Sequence, residues 1–371
     1  MLDPKEMLEG IRRWVEIETP TSAPGEVARL MRDVAAGFAD LGAGIGWIEG
    51  RDGRGPHLEL RSPWGGDGPG ILILSHLDTV HPLGTLADRL PFRIDGDRAY
   101  GPGIYDMKAG AFLAFAAFRE LVREGRETPL PLRWLITADE EVGSPTSREV
   151  IRAAGDKARH VLVTEPARDG GKCVTARKGT ARYAIHFTGR AAHSGARHAD
   201  GRSAIREMAR HVLELEAITD HAAEITTNVG LVSGGTAVNT VAETARLDLD
   251  VRFPGEEAMR RALAAVEERK AHDKDVGIRI EGGLSRPPYE RSAATARLYE
   301  HARGLAAEIG FELGETRSGG GSDGNFLADR LPVLDGIGID GDGAHTLHEH
   351  MLISSMVPRA MLIRRLMETL D

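Results

Sequence analysis

The middle of this chain breaks the pattern set by the rest, and that break constrains the fold more than any single motif. Outside it, short apolar runs bounded by Gly, Pro and Asp alternate with helical patterns: His57–Arg61, Ile71–His76, Leu130–Ala138 and His160–Glu165 against helices such as Met107–Gly125. Alternation of that kind predicts an α/β sheet covered on both faces. Inside it, Thr180–Gly189 alternates as a strand and Gly201–Ala217 reads as a helix. Thr226–Val232 and Thr244–Phe253 read as strands, Gly255–His272 as a helix and Val276–Gly282 as a strand. The order β-α-β-β-α-β is the ferredoxin-like signature. The expectation is a small domain, residues 178–286, inserted into a larger α/β domain built from residues 1–177 and 287–371; two consecutive domains are the alternative. Met1–Gly42 predicts two amphipathic helices parted by Pro20 and Pro24, and Ser292–Ile309 and Ser354–Leu370 predict two more near the C-terminus.

Composition removes several classes of function. The formal net charge of −9 lacks the basic footprint that nucleic-acid binding needs. A single cysteine, Cys173, rules out an internal disulfide framework and Cys-rich zinc sites, so a metal here needs His, Asp and Glu, and 14 histidines are available. The N-terminus has no apolar stretch of the signal-peptide kind, and no apolar run approaches the roughly 20 residues of a membrane helix. The expectation is a cytoplasmic protein acting on neither membrane nor nucleic acid. No phosphate-cradling Walker motif occurs.

What remains is a set of metal-type side chains placed just past strands or in loops, where open α/β sheets bind ligands. Strand Ile71–Leu74 delivers His76 and Asp78, two residues apart and so on one side of an extended chain. His76 reads as a ligand and Asp78 as a carboxylate that orients its ring or a neighbouring acid; the plainer reading is a hydrogen-bonded strand end. Asp106 follows a Gly-Pro-Gly turn where a helix opens, and the plainer reading is an N-cap. Glu140 and Glu141 follow a strand that ends near Ala138; one can bind metal while the other faces a water, or both can be solvated. Glu165 ends another apolar strand, and His345, His348, Glu349 and His350 crowd a Gly-rich loop. An N/O ligand set of this kind suits Zn²⁺ or Co²⁺ better than Mn²⁺.

The segments SHLDTV, GPGIYDMKAG, DEEVGS, TEP, GRAAHSG, GGGSD and GAHTLHE occur in one order across nearly the whole chain. In that set the chain resembles the dinuclear zinc family of aminoacylases, acetylornithine deacetylases, succinyl-diaminopimelate desuccinylases and glutamate carboxypeptidases. RSGGGSD followed by LPVLDGIGI is most similar to the bacterial glutamate carboxypeptidases that cleave folates. The resemblance implies a mixed-sheet zinc-peptidase catalytic domain carrying a ferredoxin-like lid and dimerisation domain. It implies two Zn²⁺ ions, replaceable by Co²⁺ or Mn²⁺, bridged by Asp106. His76 and Glu165 would complete one site, Glu141 and His345 the other. Glu140 would be the general base and Asp78 the orienting carboxylate, and the Asp106–Met107 bond would be cis. His193 in GRAAHSG would reach the chemistry, often from a partner subunit of a homodimer. Asn239, Arg286 and Gly321 would hold the substrate, Arg286 by a bidentate grip on a carboxylate. Lys172 would meet a second carboxylate, as in a C-terminal glutamate, or is an exposed loop lysine.

The function implied is hydrolysis of an amide in a small carboxylate-bearing substrate: an N-acyl amino acid or a C-terminal, possibly glutamyl, peptide-like bond. An N-acetyl or N-succinyl amino acid deacylase is the main alternative, and an aromatic amine deaminase a remoter one. Outside that class stand a phosphoesterase on a similar carboxylate–His site and an inactive metal-binding or ligand-binding homologue, which would have no need of a base at Glu140.

Overall fold

An aliphatic run such as Ile71–Leu74 leaves a strand no solvent face, so it belongs between helical layers. The computed structural model, which describes residues 2–371, bears this out. Five strands, β1 (Gly44–Ile48), β2 (His57–Arg61), β3 (Gly70–His76), β4 (Leu132–Thr137) and β5 (Ala158–Val163), join the two-residue strand Val333–Leu334 in one sheet. Their spatial order is β1-β2-β4-β3-β5-Val333. The sheet is mixed: β3 runs parallel to β4 and β5, while β1–β2 and β2–β4 are antiparallel. Every residue of β3 and β4 is buried. Parallel strands end at one level, His76 opposite Thr137 and Leu74 opposite Val163. The segments that follow β3, β4 and β5 therefore leave the sheet at the same edge.

Helices α1 (Pro4–Val15), α2 (Pro24–Ala36), α3 (Ala109–Glu124) and α4 (Arg148–Gly155) belong to the same unit. Asp3 caps α1 by accepting from the Lys5 and Glu6 amides, and Pro4 sits in its first turn, where a missing N–H costs nothing. Trp14 meets Phe112 edge-on, with ring centroids 4.9 Å apart. Gly110 lets α3 approach β5: a Cβ there would lie 2.1 Å from the Thr164 carbonyl oxygen. The lone Cys173 is buried with Sγ 3.4 Å from the Gly314 carbonyl oxygen, and burial pushes its thiol up to about 12.

The second unit comprises Arg177–Glu290 with Gly319–Gly321, so the three glycines of a distant loop join the inserted segment. Its strands β6 (Gly179–Thr188), β7 (Thr226–Gly234), β8 (Thr244–Phe253) and β9 (Gly277–Arg286) lie antiparallel in the order β7-β8-β6-β9, with α5 (Ala204–Glu216) and α6 (Glu256–Glu267). This is the ferredoxin-like order read from the sequence. Tyr183, Ile185 and Phe187 of β6 and Leu247, Leu249 and Val251 of β8 share a core with Met208 and Leu215 of α5 and Val266 of α6. Helix α6 ends at Glu267, short of the expected His272, because the Glu207 carboxylate captures the His272 and Asp273 amides and draws the chain away. Helices α7 (Ala293–Ile309) and α8 (Met356–Thr369) return to the first unit. Among the described residues no helix is long and apolar enough to cross a membrane.

Candidate metal centre

Three strand ends and two loops bring metal-type side chains together. His76 closes β3, Glu140 and Glu141 follow β4, and Glu165 follows β5. Asp106 and His345 come from the loops Gly103–Lys108 and Gly343–His350. His76 Nε2 lies 3.3 Å from Asp106 Oδ1, 3.6 Å from Glu165 Oε1 and 4.0 Å from Glu140 Oε2. His345 Nε2 lies 3.2 Å from Glu141 Oε2 and 3.5 Å from Asp106 Oδ2. The Asp106 carboxylate thus stands between two histidines, one oxygen turned to each.

These separations fit a shared cation better than hydrogen bonds. His76 Nε2, Asp106 Oδ1 and Glu141 Oε1 are buried without a hydrogen-bond partner. Donors on a tetrahedral ion with bonds of about 2.0–2.2 Å stand roughly 3.3–3.6 Å apart. The donor atoms of His76, Asp106 and Glu165, and those of Asp106, Glu141 and His345, form two groups that share Asp106. Electrostatics agrees. Burial works to raise the Asp106 carboxyl, but His345 and His76 beside it hold it well below the usual range. Asp106 and Glu141 push His345 up to about 11, and burial pushes Glu141 up to about 7. Burial works to lower His76, yet Asp106, Asp78 and Glu165 keep it well above its ordinary value. The cluster draws positive charge.

Asp78 does more than the sequence suggests. The His76 Nδ1 contact at 2.9 Å is with the Asp78 backbone carbonyl, while the carboxylate lies 3.5 Å from that nitrogen. The carboxylate accepts instead from the Glu140 amide at 3.1 Å, the Glu141 amide at 3.2 Å and the Thr21 hydroxyl at 2.7 Å. One fully buried acid therefore fixes the ring through its main chain and both glutamates through their amides. The same loop is held from its far end. Asp139 accepts from the amides and hydroxyls of Thr146 and Ser147, and Asp323 from the Thr137 and Ser144 hydroxyls. Asp106 is not the N-cap of the plainer reading. It sits at φ −115°, ψ 96°, outside helical geometry, and its bond to Met107 is cis. His345 takes φ +64°, a left-handed conformation uncommon for a side-chain-bearing residue and concentrated at functional sites.

Three residues around the centre were not assigned from sequence. Glu349 and His81 pair at 2.7 Å beneath the Asp106 loop, and Arg168 lies 3.8 Å from Glu165 Oε2. Only an acid four residues after His345 hinted at the first.

The remaining expected residues are held by other segments of the chain. His193 and Asn239 are together in the second unit: the Ser194 amide donates to the Asn239 carbonyl at 3.0 Å, and His193 bridges Thr240. His193 Nδ1 accepts from the Gly195 and Ala196 amides at 3.2 Å each, which leaves Nε2–H as an exposed donor. Arg286 is buried against Gly321, where a Cβ would meet its Cδ at 2.5 Å, so only glycine gives the arginine stem its path. Lys172 is exposed, its stem over Gly314. His348 is exposed, and the His350 ring bonds the His348 carbonyl through Nδ1 at 2.9 Å.

A separate group in the second unit, Glu207, His211 and His272, has ligand-type atoms close together. Arg269 Nε donates to His211 Nδ1 at 3.0 Å, so the neutral ring carries its proton on Nε2 and offers no lone pair there to a cation.

A profile of peptidase family M20/M25/M40 matches residues 72–369. Carboxypeptidase G2 of Pseudomonas sp. (strain RS-16) is 33% identical over 377 residues, covering 96% of this chain and 86% of that protein. The succinyl-diaminopimelate desuccinylase of Delftia acidovorans is 26% identical, covering 84% of each. Among solved structures, the M20 family metallo-carboxypeptidase Sso-CP2 from Sulfolobus solfataricus superposes with a TM-score of 0.76 at 15% identity, covering 99% of both chains. Aminopeptidase PepT from Bacillus cereus gives 0.75 at 23%, covering 99% of this chain and 98% of that one.

Proposed function

The chain belongs to peptidase family M20/M25/M40, a metal-dependent hydrolase of amide bonds, and from that premise we propose that it is a dinuclear zinc enzyme releasing a carboxylate-bearing amino acid from an N-acyl or C-terminal peptide-like substrate. The observation that carries this reading is the Asp106 carboxylate between His76 and His345, with Glu165 and Glu141 on its two sides and Glu140 beside it.

His76, Asp106 and Glu165 would hold one zinc, and Asp106, Glu141 and His345 the other. Bound there, zinc supplies Lewis acidity to a water and to the scissile carbonyl. Glu140, its amide tied to Asp78, takes the proton of the attacking water and returns it to the leaving nitrogen. His193, its Nε2–H set by the two amides on Nδ1, donates to the carbonyl oxygen as charge develops. Arg286 and Asn239 hold the substrate carboxylate, with Gly321 making room for the arginine. The 33% identity to carboxypeptidase G2 supports release of a C-terminal amino acid, and the similarity to the desuccinylase supports the deacylase alternative. A panel of N-acyl amino acids, folate-like glutamates, phosphoesters and aromatic amines, run with added Zn²⁺ or Co²⁺ and read by mass spectrometry, tests it. Release of an amino acid is expected; turnover of phosphoesters alone overturns the reading.

Within that panel Lys172 is the proposed partner of a second carboxylate. Lys172→Ala is expected to raise KM for N-acyl-glutamate roughly tenfold or more relative to N-acyl-alanine, since a charge-assisted hydrogen bond contributes about 1.5–3 kcal/mol. Equal, small effects on both substrates retire the glutamate preference.

The second unit is the proposed lid and dimerisation domain. Its β7 is an edge strand with Leu231 and Val232 exposed, and Leu213 of α5 is exposed as well. An open apolar edge invites pairing unless it is covered. His193→Ala and Glu140→Gln subunits, each inactive alone, are expected to regain activity when mixed, because a heterodimer then assembles one intact site. A monomer by sedimentation at assay concentration, or inactivity despite proven exchange, counts against the dimer.

A further inference from the structure

Glu349 is 1% exposed, and a carboxylate so buried is costly unless its oxygens are bonded. Each oxygen takes two donors. Oε1 accepts from the Tyr105 amide at 2.9 Å and the Asp106 amide at 3.0 Å. Oε2 accepts from the Gly103 amide at 2.9 Å and from His81 Nε2 at 2.7 Å. Three of the four donors thus belong to one short loop, and one of them is the main chain of Asp106 itself. His81, also buried, comes from the segment that follows β3 and Asp78. Glu349 stands four residues after His345. It therefore ties together the segments that carry His76, Asp106 and His345, yet makes no hydrogen bond to any of their side chains.

We propose that Glu349, held by His81, is a positioning residue that aims the Asp106 carboxylate between His76 and His345 and thereby sets the affinity of the centre for its metal. The inference rests on Asp106 being a metal ligand. The loop has non-helical geometry at Asp106 and Met107, so no regular hydrogen-bond ladder fixes the direction of the Asp106 side chain. The Glu349 carboxylate supplies that constraint by taking consecutive amides at Tyr105 and Asp106 on one oxygen. Glutamine cannot replace it. Its single oxygen serves two donors, while its NH₂ would face either two amides or an amide and the His81 N–H, donor against donor.

The test measures Zn²⁺ affinity by chelator competition, together with the visible spectrum of the Co²⁺-loaded protein, for five forms: wild type, Glu349→Gln, His81→Leu, His81→Gln and Asp106→Asn. Loss of a group that orients a metal ligand typically weakens binding about 10–100-fold. Glu349→Gln and His81→Leu are expected to fall in that range, with an altered cobalt spectrum, while His81→Gln, which keeps a donor, recovers most of the loss. A purely structural role lowers thermal stability and leaves both metal readouts at their wild-type values; that result overturns the inference. Wild-type zinc affinity in Asp106→Asn instead overturns the reading of Asp106 on which it rests. Should Glu349→Gln fail to fold, the His81 pair decides alone: equal metal affinity in the Leu and Gln variants refutes the positioning role.

Discussion

Glu140→Gln is expected to hold zinc and a substrate carboxylate as the wild type does and to turn over about 10²–10⁴-fold more slowly, the usual contribution of a positioned general base. The substitution is close to isosteric and keeps the backbone amide that donates to Asp78 Oδ1 at 3.1 Å, so the loop after β4 stays in place. What it removes is the carboxylate proposed to take the proton of the attacking water. Metal content by atomic spectroscopy and kcat on the best panel substrate check it together. Near wild-type kcat at full metal occupancy removes Glu140 from the mechanism and leaves it a largely buried acid beside the centre.

Zinc is expected to stabilise the protein more as pH rises from 6 to 9. Folding lifts His345 to about 11 and holds His76 well above its ordinary value. A histidine raised in this way contributes stability that is fully present below its unfolded pKa of about 6.5 and is lost as pH climbs towards the folded value. Glu141, raised to about 7, moves the same way across the lower part of the window, because its ionised form is the one burial disfavours. The chelated protein therefore loses stability with rising pH. Cation binding displaces those protons, so zinc affinity climbs over the same range. Zinc at a hundred times its Kd adds about 2.7 kcal/mol for one site. Thermal melts with chelator and with zinc, at steps between pH 6 and 9, should diverge. Titration calorimetry in buffers of different ionisation enthalpy should show protons released on binding. Curves that stay parallel across the window would mean that these side chains do not share a cation.

The parts of this protein that were readable in the sequence are those whose signal is a side chain in a regular element. His76, Glu141 and Glu165 announce themselves because runs of aliphatic strand residues lead into them. The ferredoxin-like unit is readable because β6 and β8 alternate over ten residues each, with inward Tyr183, Ile185 and Phe187 against inward Leu247, Leu249 and Val251. Strand β1 was not read, since Gly44 and Gly46 blunt its alternation and none of its residues is fully buried. Cys173–Arg177 was missed for the opposite reason: buried throughout, it alternates nothing. Asp106 looked like a cap because a turn precedes it and a helix follows. The roles of Asp78 and Glu349 were hidden more deeply. Most of their partners are backbone amides, of Glu140, Glu141, Gly103, Tyr105 and Asp106, and an amide leaves no mark in a sequence.

The buried Cys173 has a practical consequence. With its thiol pushed up to about 12, it carries almost no thiolate at neutral pH, and the chain has no other cysteine. The wild-type protein is therefore silent to maleimides and spin labels, and no background residue has to be removed before labelling. One cysteine placed on an exposed position of each unit, for instance at Val238 and at Leu83, gives two addressable probes in an otherwise native chain. Distances between them, recorded with and without a product amino acid, would test whether the two units change their separation in solution.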